Sequence, residues 1–468
     1  MLCRLALVLS FSMSGPTSVH AQEWTRFRGP NGAGSAASSL PETLDREQSL
    51  RWRTPLAAGH SSPVLGADAV YLTGADERGL VVTCIAPATG ALRWERRLER
   101  ARTQEVYPAN GSATPSPTTD GTNVYAFFPE LGLVSFDAEG KERWRLPLGP
   151  FVSFYGMAAS PILAGDTLVL LCDQQRGSFL LAVDAATGKL RWRTERTGLI
   201  ESFTTPVLFP AAKPETVIIA GTFFVTAYSL STGTEQWRAP RIGYTPICSP
   251  VLWERPEGAL LFVNVPFQAE GGAMPTFEAL SADTDKNADK RLARAELDGT
   301  DWGPHFGWAD ANRDDFIDPA EWKFIADGMS SKDYGLVAFH LGTKEATEAW
   351  RAKRGLPYLA TPLLLDGILY LVKGGGMLTT LDAESGEELG FQRLEHAGGE
   401  YDASPVAAGD KLLLASQEGQ LTLLAAGPEP KVLASCELGE PIHATPAIGS
   451  DALFVRTEAA LYCFGAKN

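Results

Sequence analysis

"ASPILAGDTLVLLCDQQRGSFLLAVDAATGKLRWRTE", residues 159–195, contains one complete structural unit. A Ser-Pro pair opens it, followed by an apolar run, a Gly-Asp turn and a second apolar run. A third run ends at Asp184, a turn carries Thr187-Gly188, and a final run is centred on Trp192. Short apolar runs bounded by Gly, Asp and Thr suit β-hairpins, because these residues accept the turn conformations that strand residues resist. Four antiparallel strands are therefore expected from this stretch.

The unit repeats. Its Ser/Thr-Pro anchor recurs at Pro63, Pro117, Pro161, Pro206, Pro250, Pro362, Pro405 and Pro446, with spacings of 54, 44, 45, 44, 112, 43 and 41 residues. The Gly-xxx-Trp element recurs at Gly90/Trp94, Gly140/Trp144, Gly188/Trp192 and Gly233/Trp237. Trp350 fits more loosely, and the later units lose the pattern, with Gly386 followed by Gly390-Phe391 and Gly427 by Lys431. Eight anchors at this period predict an all-β fold, an eight-bladed β-propeller of four-stranded units. The ends agree with closure: "ALYCFGAKN" stops after a third strand, and "SLRWRTPL" (residues 49–56) is a fourth strand with no preceding three. Pairing the two would remove the exposed sheet edges that invite aggregation.

Composition fits many tight turns and aromatic anchors, with 46 glycines, 31 prolines and 9% aromatic residues in 468. A formal charge of −15 disfavours nucleic acid, whose phosphates such a chain would repel. Residues 1–21 read as an export signal: Arg4, an apolar stretch from Leu5 to Met13, a Gly15-Pro16 break, and Val19-His20-Ala21 before the cut. Cys3 lies too early for lipid attachment. No other run is long and apolar enough to span a membrane, so the mature chain, 22–468, is expected in the periplasm, at the cell surface or outside the cell. Cys84, Cys172, Cys248, Cys436 and Cys463 are odd in number and lack CxxC spacing, which suits small core residues and leaves room for one disulfide.

The blade pattern resembles the PQQ-type β-propeller repeat shared by quinoprotein dehydrogenases and the outer-membrane assembly lipoprotein BamB. "WTRFRGPNGAG" (residues 24–34) resembles the opening of exported PQQ-like repeat proteins. The resemblance covers nearly the whole mature chain and implies the fold. For quinoprotein dehydrogenases it further implies PQQ stacked between a tryptophan and a disulfide of adjacent cysteines, with Ca²⁺ on propeller carboxylates beside a catalytic Asp. This chain has no adjacent cysteines, so PQQ is not expected, and its Gly-xxx-Trp tryptophans are expected to dock blades together. GxSxG, Walker and HExxH motifs are also missing.

Two further features carry chemistry. Three residues before the anchor proline stand His60, Asp402 and His443, in the first, seventh and eighth units, which a closed ring makes neighbours at the channel mouth. They would suit metal binding or acid-base work, although channel mouths are polar and wet in any case, and that plainer reading is favoured. The matching positions Ala158, Phe203, Ile247 and Leu359 are apolar, so the ring should be polar on one side only.

The second feature fills the anomalous spacing. Residues 266–333 interrupt the fifth unit between its second and third strands and hold an EF-hand-like pattern twice. The first copy is Asp285, Asn287, Asp289, Arg291 and Glu296; the second is Asp310, Asn312, Asp314, Phe316, Asp318 and Glu321. Ca²⁺ takes six to eight hard oxygens, which a twelve-residue loop supplies from positions 1, 3, 5, 7, 9 and 12, position 7 through its carbonyl. Leu292 and Ile317, at position 8, should bridge the loops. Lys290 and Asp315 stand where glycine is usual, and the short separation calls for abbreviated helices. Loop 2, richer in carboxylates, is expected to bind more tightly.

The insert should leave the propeller on the face that carries His60, Asp402 and His443. The reading is a calcium-binding, non-catalytic scaffold or recognition protein of the cell envelope, meeting a protein or envelope component on that face. The alternative is an enzyme, quinoprotein-like or otherwise, with its site at the channel mouth. Calcium sensing is a third reading, which abbreviated helices disfavour.

Overall fold

The protein is described here by a computed structural model covering residues 24–104, 107, 110–266 and 274–466. The expected export signal lies outside the described residues. Eight four-stranded antiparallel sheets form the blades, and the innermost strands of successive blades adjoin around a central channel. Blade 3 is the quoted stretch, with strands Ile162–Ala164, Thr167–Cys172, Phe179–Asp184 and Leu190–Glu195. Its second strand is buried at every residue, whereas the outermost is mostly exposed. Inner strands are packed on both faces, so their sequences run continuously apolar; outer strands meet solvent and turn polar.

The tryptophans hold blade to blade. Immediately before Trp94, Trp144, Trp192, Trp237 and Trp350 the register with the neighbouring strand slips by one residue, a bulge that increases local twist. The indole Nε1–H groups of Trp52, Trp94, Trp144 and Trp192 donate to Pro87, Ala138, Ala185 and Leu230 carbonyls of the next blade at 3.0, 2.8, 2.9 and 2.9 Å. Gly188 (φ 69°) shows why the motif needs glycine: a Cβ there would lie 2.6 Å from the Trp144 ring. Trp350, the loose match in sequence, docks in the same way, bonding to Ala383 and lying against Gly386.

The anchors form a belt. Ser62 N–H donates to Ser116 Oγ at 2.8 Å, and the pattern passes from blade to blade until Ser404 N–H reaches Thr445 Oγ1 at 3.0 Å. The hydroxyl thus satisfies a buried N–H that strand pairing leaves over. Closure follows the sequence reading, since Leu50–Pro55 pairs antiparallel with Ala460–Phe464 as the outermost strand of blade 8.

Residues 24–36 do something the repeat pattern did not indicate. They run as a strap across one end of the channel, bonding to Leu65, Thr119 and Ala407. Arg28 is wholly buried and donates to the Thr361, Pro362 and Pro405 carbonyls, while Arg26 reaches Pro206 O at 2.6 Å. All five cysteines among the described residues are buried and free, so the disulfide left open by the sequence does not form there.

The insert follows strand Gly258–Val265 and returns at Gly335–Leu341, the second and third strands of blade 5. It holds helices α1 (Phe277–Thr284), α2 (Arg294–Leu297), α3 (Phe306–Ala309) and α4 (Pro319–Met329). Its core joins blade 4 through Phe223, which packs so closely under α4 that a Cβ on Gly328 would stand 2.4 Å from the ring.

Candidate functional site

The channel mouth opens into a cavity of about 720 Å³, a volume that suits a drug-sized ligand. Two rings of side chains build it, and both come from the repeat. The Ser/Thr residues of all eight anchors line it, as do all eight residues two positions before them. His60, Asp402 and His443 gather on one side, and Ala158, Phe203, Ile247 and Leu359 on the other. Phe27 of the strap also lines the cavity, and the insert adds Pro304, His305 and Trp308.

On the polar side, His443 Nδ1–H donates to Asp402 Oδ2 at 2.7 Å. A carboxylate can only accept, so this contact fixes the ring's orientation and leaves Nε2 toward other partners. The His60 ring lies 4.4 Å from that of His443, tilted by 31°. Burial, aided by His443 and Arg456 and opposed by Asp402, pushes His60 down to about 4. Arg456 is itself fully buried and ties blade 8 to blade 1 through Ser61, Thr73 and Ala57 carbonyls.

The folded pKa of His60 is below its unfolded value, so the folded state favours the neutral ring. Its stability contribution is complete above about pH 6.5 and is lost as pH falls toward 4, by up to about 3 kcal/mol. His60→Gln should flatten the melting-temperature profile across that window. An unchanged slope would assign the acid loss to other groups.

Across the cavity stands Glu201, 7% exposed. Its loop is fixed by a buried ion pair, Arg196 Nε to Asp173 Oδ1 at 2.6 Å, joined by Ser202 Oγ–H to Asp173 Oδ2 at 2.6 Å. Phe154 N–H donates to Glu201 Oε1 at 3.1 Å. Burial raises the Glu201 carboxyl, against donors from Ser153, Phe154 and Gln175. The repeat pattern did not single out Glu201, Tyr155 or Tyr244. Their signal was position: each lies in the stretch between an outermost strand and the next anchor, where every chain segment meets the channel mouth.

In the insert both loops follow one design. Positions 4 and 6 are left-handed in each, at Ala288, Lys290, Arg313 and Asp315. Position 3 accepts from the position 5 N–H, and position 5 from the position 7 N–H, in both loops. Glu296 and Glu321 each accept from the N–H groups of positions 2 and 9. Leu292 pairs with Ile317 in a short antiparallel bridge. α2 and α3 have four residues each, abbreviated as the spacing required.

Asp285 Oδ1 and Asp310 Oδ1, both at position 1, are buried and without a hydrogen-bond partner. Asp318 Oδ1 caps α4 by accepting from Ala320 and Glu321 N–H. One expectation changes. Loop 2 does not keep its carboxylates to itself: Arg176 of blade 3 pairs with Asp310 and Asp315 at 2.8 Å each, and Arg291 of loop 1 with Asp314 at 2.5 Å. Its charge advantage is therefore smaller than the sequence suggested. Among the described residues no three His, Cys, Asp or Glu side chains alone make a metal cluster; a loop of this type draws also on Asn and carbonyl oxygens.

PQQ does not fit the cavity. It carries three carboxylates, yet among the described residues no Lys or Arg lines the cavity, and Glu201 and Asp402 do. The cysteines are free and separate.

Fold and cavity together define a closed, eight-bladed PQQ-like propeller whose channel is plugged at one end and opens at the other into a walled site. The family model described as "Outer membrane protein assembly factor BamB" matches residues 44–239 and 331–468, and the chain belongs to that family. The match is interrupted across the insert. Among solved structures, BamB from Moraxella catarrhalis is similar at 14% identity, covering 89% of this chain and 98% of that one, with a TM-score of 0.55. A europium-containing methanol dehydrogenase is similar at 10% identity over 95% of this chain and 98% of its own, TM-score 0.62. A quinohemoprotein alcohol dehydrogenase from Pseudomonas putida is similar at 11% identity over 95% and 80%, TM-score 0.57. At such identities the likeness concerns the fold. No curated protein matches the sequence.

Proposed function

We propose that this protein is an exported, calcium-binding recognition propeller of the cell envelope, without catalytic activity, that receives its partner at the channel mouth. The observation that carries the reading is Asp310. Its Oδ1 is buried and unpartnered, and it directly follows α3, whose Trp308 lines the cavity. Arg176 reaches only Oδ2; a buried carboxylate oxygen left without a hydrogen bond is costly, and a hard cation offsets that cost. Asp285, Asn287, Asp289, the Arg291 carbonyl and Glu296 would hold one ion; Asp310, Asn312, Asp314, the Phe316 carbonyl, Asp318 and Glu321 would hold the other. The bound ions would fix the insert as part of the recognition face. Family membership supports the non-catalytic role, since the matching model describes an assembly factor.

Calorimetric titration with calcium tests this. Two sites are expected, with loop 2 tighter because Asp310 is already desolvated. Glu321→Gln should weaken binding more than Glu296→Gln, by at least about tenfold, since even partners that merely support ligands are worth about 10–100-fold. Absence of binding at millimolar calcium would end the reading.

The Asp402–His443 contact favours a second reading, an enzyme in which His443 acts as base and Asp402 orients it. It predicts turnover that His443→Gln abolishes without loss of fold.

A further inference from the structure

We propose that the channel-mouth cavity binds an organic ammonium ion, with Glu201 as its counter-ion and Tyr155, Phe203, Tyr244 and Trp308 as an aromatic cage. The inference names the ligand class for the recognition reading above and rests on its placement of binding at the channel mouth.

Charge comes first. Glu201 lines the cavity and is 7% exposed, yet among the described residues no Lys or Arg pairs with it. The nearby guanidinium groups are committed elsewhere, Arg196 to Asp173 and Arg176 to Asp310 and Asp315. Phe154 N–H holds the carboxylate in place, but it is a neutral donor. Burial still raises Glu201, so the site retains a demand for positive charge that the chain does not meet. With Asp402 on the opposite wall and no Lys or Arg among the described lining residues, an anion would be repelled.

The walls supply the rest. Tyr155 meets Phe203 edge-to-face at 5.8 Å and 89°, and Tyr244 meets Trp308 at 6.4 Å and 49°. Tyr155, Tyr244 and Glu201 line the same cavity. Aromatic faces attract a cation through the ring quadrupole, and alkylammonium groups, weakly hydrated and partly apolar, gain most from such a cage. A metal ion would need several hard oxygens, which this wall does not offer.

The test is calorimetric titration of the full mature chain, with calcium present, using benzylamine, phenyltrimethylammonium, benzyl alcohol and benzoate as probes. The two cations should bind roughly tenfold or more tightly than benzyl alcohol, and benzoate should give no heat. Glu201→Gln should bring benzylamine to the level of benzyl alcohol while leaving the alcohol unchanged. Phe203→Leu, which keeps the apolar volume and removes a π-face, should weaken phenyltrimethylammonium more than benzyl alcohol; it carries the test if Glu201→Gln does not fold. Binding of benzoate or benzyl alcohol as tight as benzylamine, a cation preference that survives both substitutions, or no binding of any probe at millimolar concentration would overturn the inference. Calcium titration of the same samples separates the failures: intact calcium binding without cation preference defeats only the ammonium site, and cation preference without calcium binding defeats only the calcium reading.

Discussion

A chain lacking residues 22–56 is expected to be recovered as aggregate, or as a species that melts far below the intact protein. Two separate losses combine. The deleted strand Leu50–Pro55 pairs with one side of Ala460–Phe464, whose residues are all buried, so its removal exposes a hydrophobic edge with free N–H and C=O groups. The strap goes with it. Trp24, Leu40 and Leu44 are almost wholly buried in the core that joins blades 7, 8 and 1. Burying a large apolar side chain is worth about 1.5–3 kcal/mol, so these three alone rival the net stability of about 5–15 kcal/mol usual for a folded protein. Arg28 adds its bonds to the Thr361, Pro362 and Pro405 carbonyls, which would lose their shared donor. Size-exclusion chromatography and thermal unfolding decide the matter: a truncated chain that stays monomeric and melts like its parent would show that closure and strap are dispensable.

The reasons some features were legible in the sequence, and others were not, are physical. Blade number, the interrupted fifth blade and the closing strand were legible because each depends on a local requirement repeated many times: a hydroxyl for the belt, a glycine under an indole, an apolar run between turns. The clustering of His60, Asp402 and His443 followed from the same register, since a fixed offset from each anchor proline is a fixed height in the channel. Glu201 escaped because it belongs to a connecting stretch whose length varies between blades, so no offset marks it. Arg456 escaped because it is a single arginine ending an apolar strand, and only the fold shows that the Ser61 and Thr73 carbonyls surround it. The arginines facing loop 2 escaped for another reason. Arg176 precedes Asp310 by 134 residues, and the tilt of the insert toward blades 3 and 4 is set by tertiary packing on Phe223. The left-handed turns and short bridge of the loops are local; the residues packed against them are not.

Chelation of calcium is expected to make the insert, Thr276 to Met329, sensitive to protease while the blades stay folded. The insert has a small core, centred on Leu292, Leu297, Phe306, Ile317, Trp322 and Ile325. A segment of this size supports itself poorly by apolar burial alone and needs a staple, for which bound metal is one solution. Metal at about a hundred times its dissociation constant contributes about 2.7 kcal/mol to whatever state binds it, and that contribution disappears on chelation. What remains holding the insert to the blades is Arg313 to Glu195 at 2.8 Å, Arg176 to two carboxylates, and the contact of α4 with Phe223. The exposed pairs, Arg313 with Glu195 and Arg176 with Asp315, are worth about 0–1 kcal/mol each, too little to replace the metal. The blades have no such dependence, because belt, tryptophan contacts and closing strand lie outside the insert. Limited proteolysis with and without chelator, read by mass spectrometry, should therefore yield cuts confined to the insert and a propeller with its main melting transition retained. Because His305 and Trp308 line the cavity from the insert, chelation should also weaken ligand binding there, and ligand should in turn tighten calcium by the same factor. Global unfolding on chelation, or an insert equally resistant in both conditions, would show that calcium does not hold the insert in this way.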